Sequence, residues 1–126
     1  MKRKFRLLEK DMKNSKHFPV IAMFNMVRDT DFIKTLGWIC VGQGFGLDYG
    51  ACTFPNDQDE YDIITMGKLE GVEFGLHNGD EVVIDYATLY YYLKKVCEDY
   101  TDDYPNDKNV VNELLAKYRA LYNIAK

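Results

Sequence analysis

Val72, Phe74 and Leu76 alternate with Glu73 and Gly75, Asn78-Gly79 follows, and Glu81-Val82-Val83-Ile84 resumes an apolar run. A period of two on either side of Asn-Gly marks an antiparallel hairpin, because those two residues accept the left-handed backbone of a tight turn. The segments Tyr49 to Phe54 and Tyr61 to Met66 read as further short strands. Residues 47–85 are therefore expected to form a small antiparallel sheet of three to five strands.

Helical periods flank this region. Pro19 suits a first helical turn, and Val20, Met23, Phe24 and Val27 recur at helical spacing, which predicts a helix over about 18–28. Asp29-Thr30 offers a cap, and Phe32, Ile33, Leu36 and Ile39 mark a second stripe that ends before the glycines at 42, 44 and 46. Beyond the sheet, Asp85 can cap a third helix with Leu89, Leu93, Val96, Cys97 and Tyr100 on its buried side. A fourth follows Pro105-Asn106-Asp107, with Val110, Val111, Leu114, Leu115, Tyr118, Leu121 and Tyr122 on one face. Helices, a meander, then helices make an α+β fold: two N-terminal and two C-terminal helices packed on the sheet, with no βαβ series. Residues 1–16 read as a basic N-terminal arm, with Phe5, Leu7 and Leu8 against the body, and residues 17–126 as a single domain.

The chain has 126 residues, of which 47% are hydrophobic, enough for one core. No apolar run of signal-peptide length follows Met1-Lys2-Arg3-Lys4, and no uncharged run reaches the length of a bilayer span. Cys40, Cys52 and Cys97 are odd in number and far apart, which suits a reducing compartment. A cytoplasmic protein without membrane attachment is the expectation.

The motifs that imitate chemistry fail on context. Gly42-Gln43-Gly44-Phe45-Gly46 follows a helix and precedes Leu47-Asp48, whereas a phosphate loop needs a strand before it and a helix after it. It reads as a helix stop. In Asn56-Asp57-Gln58-Asp59-Glu60-Tyr61-Asp62, counting from Asp57 as position one, the sixth and twelfth places hold Asp62 and Lys68, where a calcium loop requires glycine and glutamate. The three cysteines with His17 and His77 lack zinc spacing. Neither cofactor nor metal is expected. Cys97 lies on its helix's apolar stripe and reads as core. A small cytosolic enzyme using clustered carboxylates or Cys52 is the alternative reading.

Charge is distributed unevenly. Residues 48–107 hold fifteen carboxylates against Lys68, Lys94 and Lys95, a formal charge of −12, while residues 1–47 carry +5 and residues 108–126 carry +3. Such a field attracts a cationic protein and repels phosphate, so nucleic acid is not the expected partner. A nucleic-acid reading would rest on the basic arm with Phe5 and would need the acidic segment to face away. The densest acids are Asp57, Asp59, Glu60 and Asp62 around Tyr61, followed by Asp99, Asp102 and Asp103. These eight residues are the candidate partner-binding set. The first four acids exceed what a solvated turn needs, so their neutralisation is expected to cost binding but not stability. Tyrosine supplies contact area at low entropic cost, and Tyr90 and Tyr91 are placed on the outer face of the third helix as a second choice.

Phe18-Pro19-Val20, Asp31-Phe32, Gly44-Phe45-Gly46, Cys52-Thr53-Phe54-Pro55 with its following acids, Gly71-Val72-Glu73-Phe74, Val83-Ile84-Asp85-Tyr86, Leu93 to Cys97 and Tyr100 together resemble the ribonuclease-toxin immunity proteins of bacterial contact-dependent growth inhibition, the CdiI type. The likeness spans residues 17–120 and leaves the arm unaligned. It implies an antitoxin without enzymatic activity, a monomer that forms a 1:1 complex with a cognate basic ribonuclease domain and blocks it in the cytoplasm. A ribonuclease holds phosphates in a basic cleft, so carboxylates can take the place of the RNA backbone there.

Overall fold

The computed structural model describes residues 5–125. Five α-helices and four strands follow in the order α1 (Phe18–Met26), α2 (Phe32–Cys40), β1 (Phe45–Leu47), β2 (Gly50–Thr53), α3 (Glu60–Met66), β3 (Val72–Leu76), β4 (Glu81–Ile84), α4 (Tyr86–Asp103) and α5 (Lys108–Tyr122). The strands form one antiparallel meander in the order β1-β2-β3-β4. This is the α+β arrangement anticipated from the periods, with one more helix.

The central hairpin pairs Val72 with Ile84 and Phe74 with Val82, which puts Val72, Phe74 and Ile84 in the core. Its turn is wider than the two-residue form. Leu76 N–H donates to Asp80 O, Asn78 Oδ1 accepts from Asp80 N–H, and only Gly79 takes a positive φ, of 100°. The β2–β3 pairing runs from Gly50↔Leu76 to Thr53↔Glu73, so residues 54–71 form an excursion between two adjacent strands. Within it, Tyr61–Met66 is helical and not a strand. Asp59 and Asp62 make a capping box that starts the turn, and Gly67 ends it at φ 81°. These local bonds override the strand preference of Ile63-Ile64-Thr65.

Helix α1 is apolar on most sides and lies on the sheet, with Phe24 and Phe74 rings 5.8 Å apart. Helices α4 and α5 run antiparallel. Tyr118 hydroxyl donates to Tyr86 O, and the Tyr86 and Tyr122 rings stack at 3.8 Å. The buried side of α4 is broader than its apolar stripe, because Tyr90 is covered by Tyr118 and Arg119 of α5 while Tyr92 is enclosed on the other side. Tyr91 is half-buried and its hydroxyl donates to Asp11 O. The expected outward pair Tyr90 and Tyr91 is therefore occupied by internal contacts. In α5 the buried residues are Val111, Leu115 and Tyr118, whereas Val110 and Leu121 face solvent.

Residues 5–17 are strapped to this body. Leu7 is fully buried, and its backbone N–H and C=O both bond the side-chain amide of Asn25. Phe5 and Leu8 stay exposed. Tyr92 hydroxyl accepts from Lys13 N–H and meets His17 Nδ1 at 2.8 Å. The Arg6 side chain, only 5% exposed, reaches Asp29 at 2.9 Å, Asp99 at 2.8 Å and Asp103 at 2.7 Å. Burial alone would lower the guanidinium pKa, and the three carboxylates more than reverse that, so Arg6 stays charged.

Arg6→Ala should lower the free energy of unfolding by about 2 kcal/mol, short of the largest buried-pair losses because the three released carboxylates are partly exposed and can rehydrate. Urea denaturation at constant m-value measures this, and an unchanged midpoint would show that the cluster adds no net stability.

Candidate binding surface

The acidic segment begins in the 3₁₀ turn Pro55–Asp57, which Pro55 starts with its fixed φ. Asp57 Oδ2 accepts from the N–H of Gly44 at 2.8 Å and from that of Phe54 at 2.7 Å, tying the excursion to the entry of β1. Gly44 permits the approach, since a Cβ there would overlap Cys52 O and lie 2.7 Å from the same carboxylate oxygen. Gln58 closes the base of the excursion, its Nε2 donating to Gly67 O and its Oε1 accepting from Leu69 N–H. Asp59 Oδ1 accepts from Asp62 N–H at 2.8 Å as the N-cap of α3.

Helix α3 is thus held by polar bonds at its base. None of its residues is buried. Tyr61 is 73% exposed, Ile64 82% and Met66 73%. A seven-residue helix has little stability of its own in water, and large apolar residues set there without burial contribute nothing to the fold. An aromatic ring, an isoleucine and a methionine beside Glu60 and three further carboxylates make a surface with both apolar area and charge. Asp57, Asp59, Glu60, Tyr61 and Asp62 are brought together here. Asp57 and Asp59 also accept backbone N–H bonds at the turn and at the helix start, so a substitution there that removes the acceptor carries a structural cost beside any effect on binding.

The second acidic group lies elsewhere. Phe54 and Tyr122 both stack on Tyr86, so the excursion sits by the first turn of α4. Asp99, Asp102 and Asp103 are near its last turn, about 20 Å away along the axis at 1.5 Å per residue. Asp99 and Asp103 ligate Arg6, and only Asp102 projects into solvent without an ion pair among the described residues. The sequence carried no local sign of this, since Arg6 is 93 residues from Asp99.

The catalytic alternative finds little support in the thiols. Cys52 lies in β2, 3% exposed, and burial raises its pKa well above that of a free thiol, with Asp57 adding to the effect. A nucleophilic cysteine requires the opposite environment, accessible and with a depressed pKa. Cys97 is buried as its stripe implied, and Cys40 is buried too. No helix of the described residues is long and apolar enough to cross a membrane.

A sequence model of CDI immunity proteins matches residues 11–115, from the strap before α1 to the middle of α5. No curated protein matches the chain. The matched span contains the whole sheet, the excursion and the four helices before α5, and it covers most of the segment over which the motifs resemble the CdiI type. The chain therefore belongs to the CDI immunity protein family, the immunity proteins of contact-dependent growth inhibition.

Proposed function

We propose that this protein binds the C-terminal ribonuclease domain of its cognate toxin in the cytoplasm, as a 1:1 complex, and inhibits it through the excursion between β2 and β3. The observation that carries the reading is α3, a helix with no buried residue that displays Tyr61, Ile64 and Met66 at the edge of four carboxylates. Protein interfaces concentrate their energy in a few aromatic and apolar anchors, and charge sets encounter rate and partner choice. Tyr61 and Ile64, three residues apart, share one side of the helix. They act as the anchors.

Asp57, Asp59, Glu60 and Asp62 meet the basic groups with which a ribonuclease holds phosphate. Asp102, with Asp99 and Asp103 already engaged by Arg6, adds to the long-range field and contributes less to contact. Nucleic acid is excluded as a ligand of the same surface by repulsion from phosphate.

Mixing the protein with the C-terminal domain of its cognate toxin should abolish RNA cleavage at a 1:1 ratio, and undiminished cleavage at molar excess would refute the proposal. Association should slow as salt rises, because surface charges are screened over about 8–10 Å at physiological ionic strength. A flat salt dependence in stopped-flow binding would remove the acids from the encounter.

The acids should separate by role. Tyr61→Ala with Ile64→Ser should weaken binding about a hundredfold, near 2.7 kcal/mol, at unchanged thermal stability. Glu60→Gln should mainly slow association. Asp57→Ala and Asp59→Ala should each lower the free energy of unfolding by about 1 kcal/mol, since each removes an acceptor from backbone N–H groups. Calorimetric melting of the four variants beside their binding constants checks the division.

A further inference from the structure

We propose that the N-terminal strap carries a pH-sensitive latch, in which the neutral imidazole of His17 accepts a hydrogen bond from the Tyr92 hydroxyl and protonation of His17 releases residues 13–17 from α4. Toxin binding plays no part in it. The strap is fastened to α4 at three levels. Arg6 meets Asp99 and Asp103 near the helix end, Tyr91 hydroxyl donates to Asp11 O, and Tyr92 hydroxyl joins both Lys13 N–H, at 3.0 Å, and His17 Nδ1, at 2.8 Å. Of the side chains in these contacts, only the imidazole belongs to a type that ordinarily titrates near neutrality.

The position of the proton follows from counting donors. Tyr92 is fully buried, and burial is the main cause that raises the pKa of its phenol, so the oxygen keeps its hydrogen at neutral pH. Lys13 N–H already points at that oxygen, and a backbone N–H can only donate. The hydroxyl hydrogen therefore goes to His17 Nδ1, which must be bare, and His17 is neutral with its proton on Nε2. In an imidazolium both ring nitrogens carry hydrogen. Nδ1 would then also donate to the Tyr92 oxygen, and the hydroxyl hydrogen would be left without an acceptor among the described residues in an enclosed site. Tyr92 belongs to an 18-residue helix and cannot follow a displacement, whereas the 3₁₀ turn Ser15–His17 has no buried residue. The strap is the side that yields.

The surroundings of the imidazole favour its neutral form on balance. Desolvation is the largest influence and lowers the His17 pKa, the Lys13 ammonium lowers it further, and the Asp85 carboxylate at the N-cap of α4 acts the other way. Helix α1, which His17 leads into, has no charged residue, and Lys16 precedes His17 in its own turn. Strand β4, packed on that turn, bears one charged side chain, Glu81, at its first position. The pKa in the closed strap thus lies below the ordinary 6.5, and as pH falls through 6.5 an opened strap takes up the proton before a closed one does. The latch is fully effective above 6.5 and weakens as pH falls from there to the lowered value of the closed strap.

The chain has two histidines, His17 and His77, so a long-range ¹H–¹⁵N spectrum of the full chain resolves their ring nitrogens, and His77→Gln assigns them. At about pH 7.5 His17 should show a bare Nδ1 and a protonated Nε2. Titration to about pH 5 should give His17 a pKa below 6.5, and the protection of the Lys13 amide from hydrogen exchange, corrected for its intrinsic rate, should fall at least about threefold over the same range. Tyr92→Phe, which removes the donor, should bring the His17 pKa closer to 6.5. A proton on Nδ1 at the higher pH, a pKa at or above 6.5, or a Lys13 amide that is unprotected or loses less protection than that would each overturn the latch. So would a His17 pKa that a folded Tyr92→Phe variant leaves unchanged. If that variant does not fold, the wild-type tautomer and exchange decide alone.

Discussion

The guanidinium of Arg6 ties the N-terminal strap at once to the turn before α2 and to the last turns of α4. It carries charge into a site where it is 5% exposed, and both elements meet it with carboxylates. Its plane also lies over Tyr100 at 5.3 Å, and Tyr100 stacks on Phe32 at 4.1 Å. Tyr104 hydroxyl donates to Asp29, closing the ring of contacts from the other side. A buried arginine is a costly choice for stability alone, because desolvation consumes much of the Coulomb attraction, and here the Nε hydrogen also lacks an acceptor among the described residues. What the arrangement secures is geometry. It fixes the strap, the entry of α2 and the end of α4 relative to one another, and with Leu7 on Asn25 it holds residues 5–17 as part of the core.

The same contact changes the electrostatic shape of the molecule. Fifteen carboxylates lie in residues 48–107, and without Arg6 both ends of α4 would present comparable acidic groups. Arg6 neutralises part of the group at the far end, while at the near end Asp57, Asp59, Glu60 and Asp62 make no ion pair among the described residues. Four carboxylates within six residues therefore keep their charge at the start of α3. A field with one dominant pole orients an approaching cationic partner, and a surface with two equal poles would not.

What the sequence disclosed followed the range of the forces involved. The hairpin was legible because Asn78-Gly79 and the two-residue alternation are local, and α1, α2, α4 and α5 were legible because their apolar residues recur at 3.6. Helix α3 is missed although its signal is present: Asp59 and Asp62 stand in capping-box spacing, beside a β-branched run, Ile63-Ile64-Thr65, that favours a strand. Tyr90 and Tyr91 were placed outside because one apolar stripe suggests one covered face, whereas α4 is covered by α5 on one side and by the N-terminal strap on another. Arg6 was not legible at all. Its partners lie 23, 93 and 97 residues away, and nothing within a helical turn of it marks them.

The residues that best suit a partner are those that internal packing did not need. Most of each apolar stripe that the helical period defines ends in the core, and four of the large apolar groups left exposed, Tyr61, Ile63, Ile64 and Met66, fall on α3. That helix lies where regular structure stops, in a break between paired strands. At such points the fold constrains backbone position through a few hydrogen bonds and leaves side chains unused, so sequence can change there with little effect on the core. An inhibitor that must match one toxin and reject others gains from that separation. Its frame is set by Arg6, the meander and the α4–α5 pair, and its partner-facing residues can vary against that frame without renegotiating it.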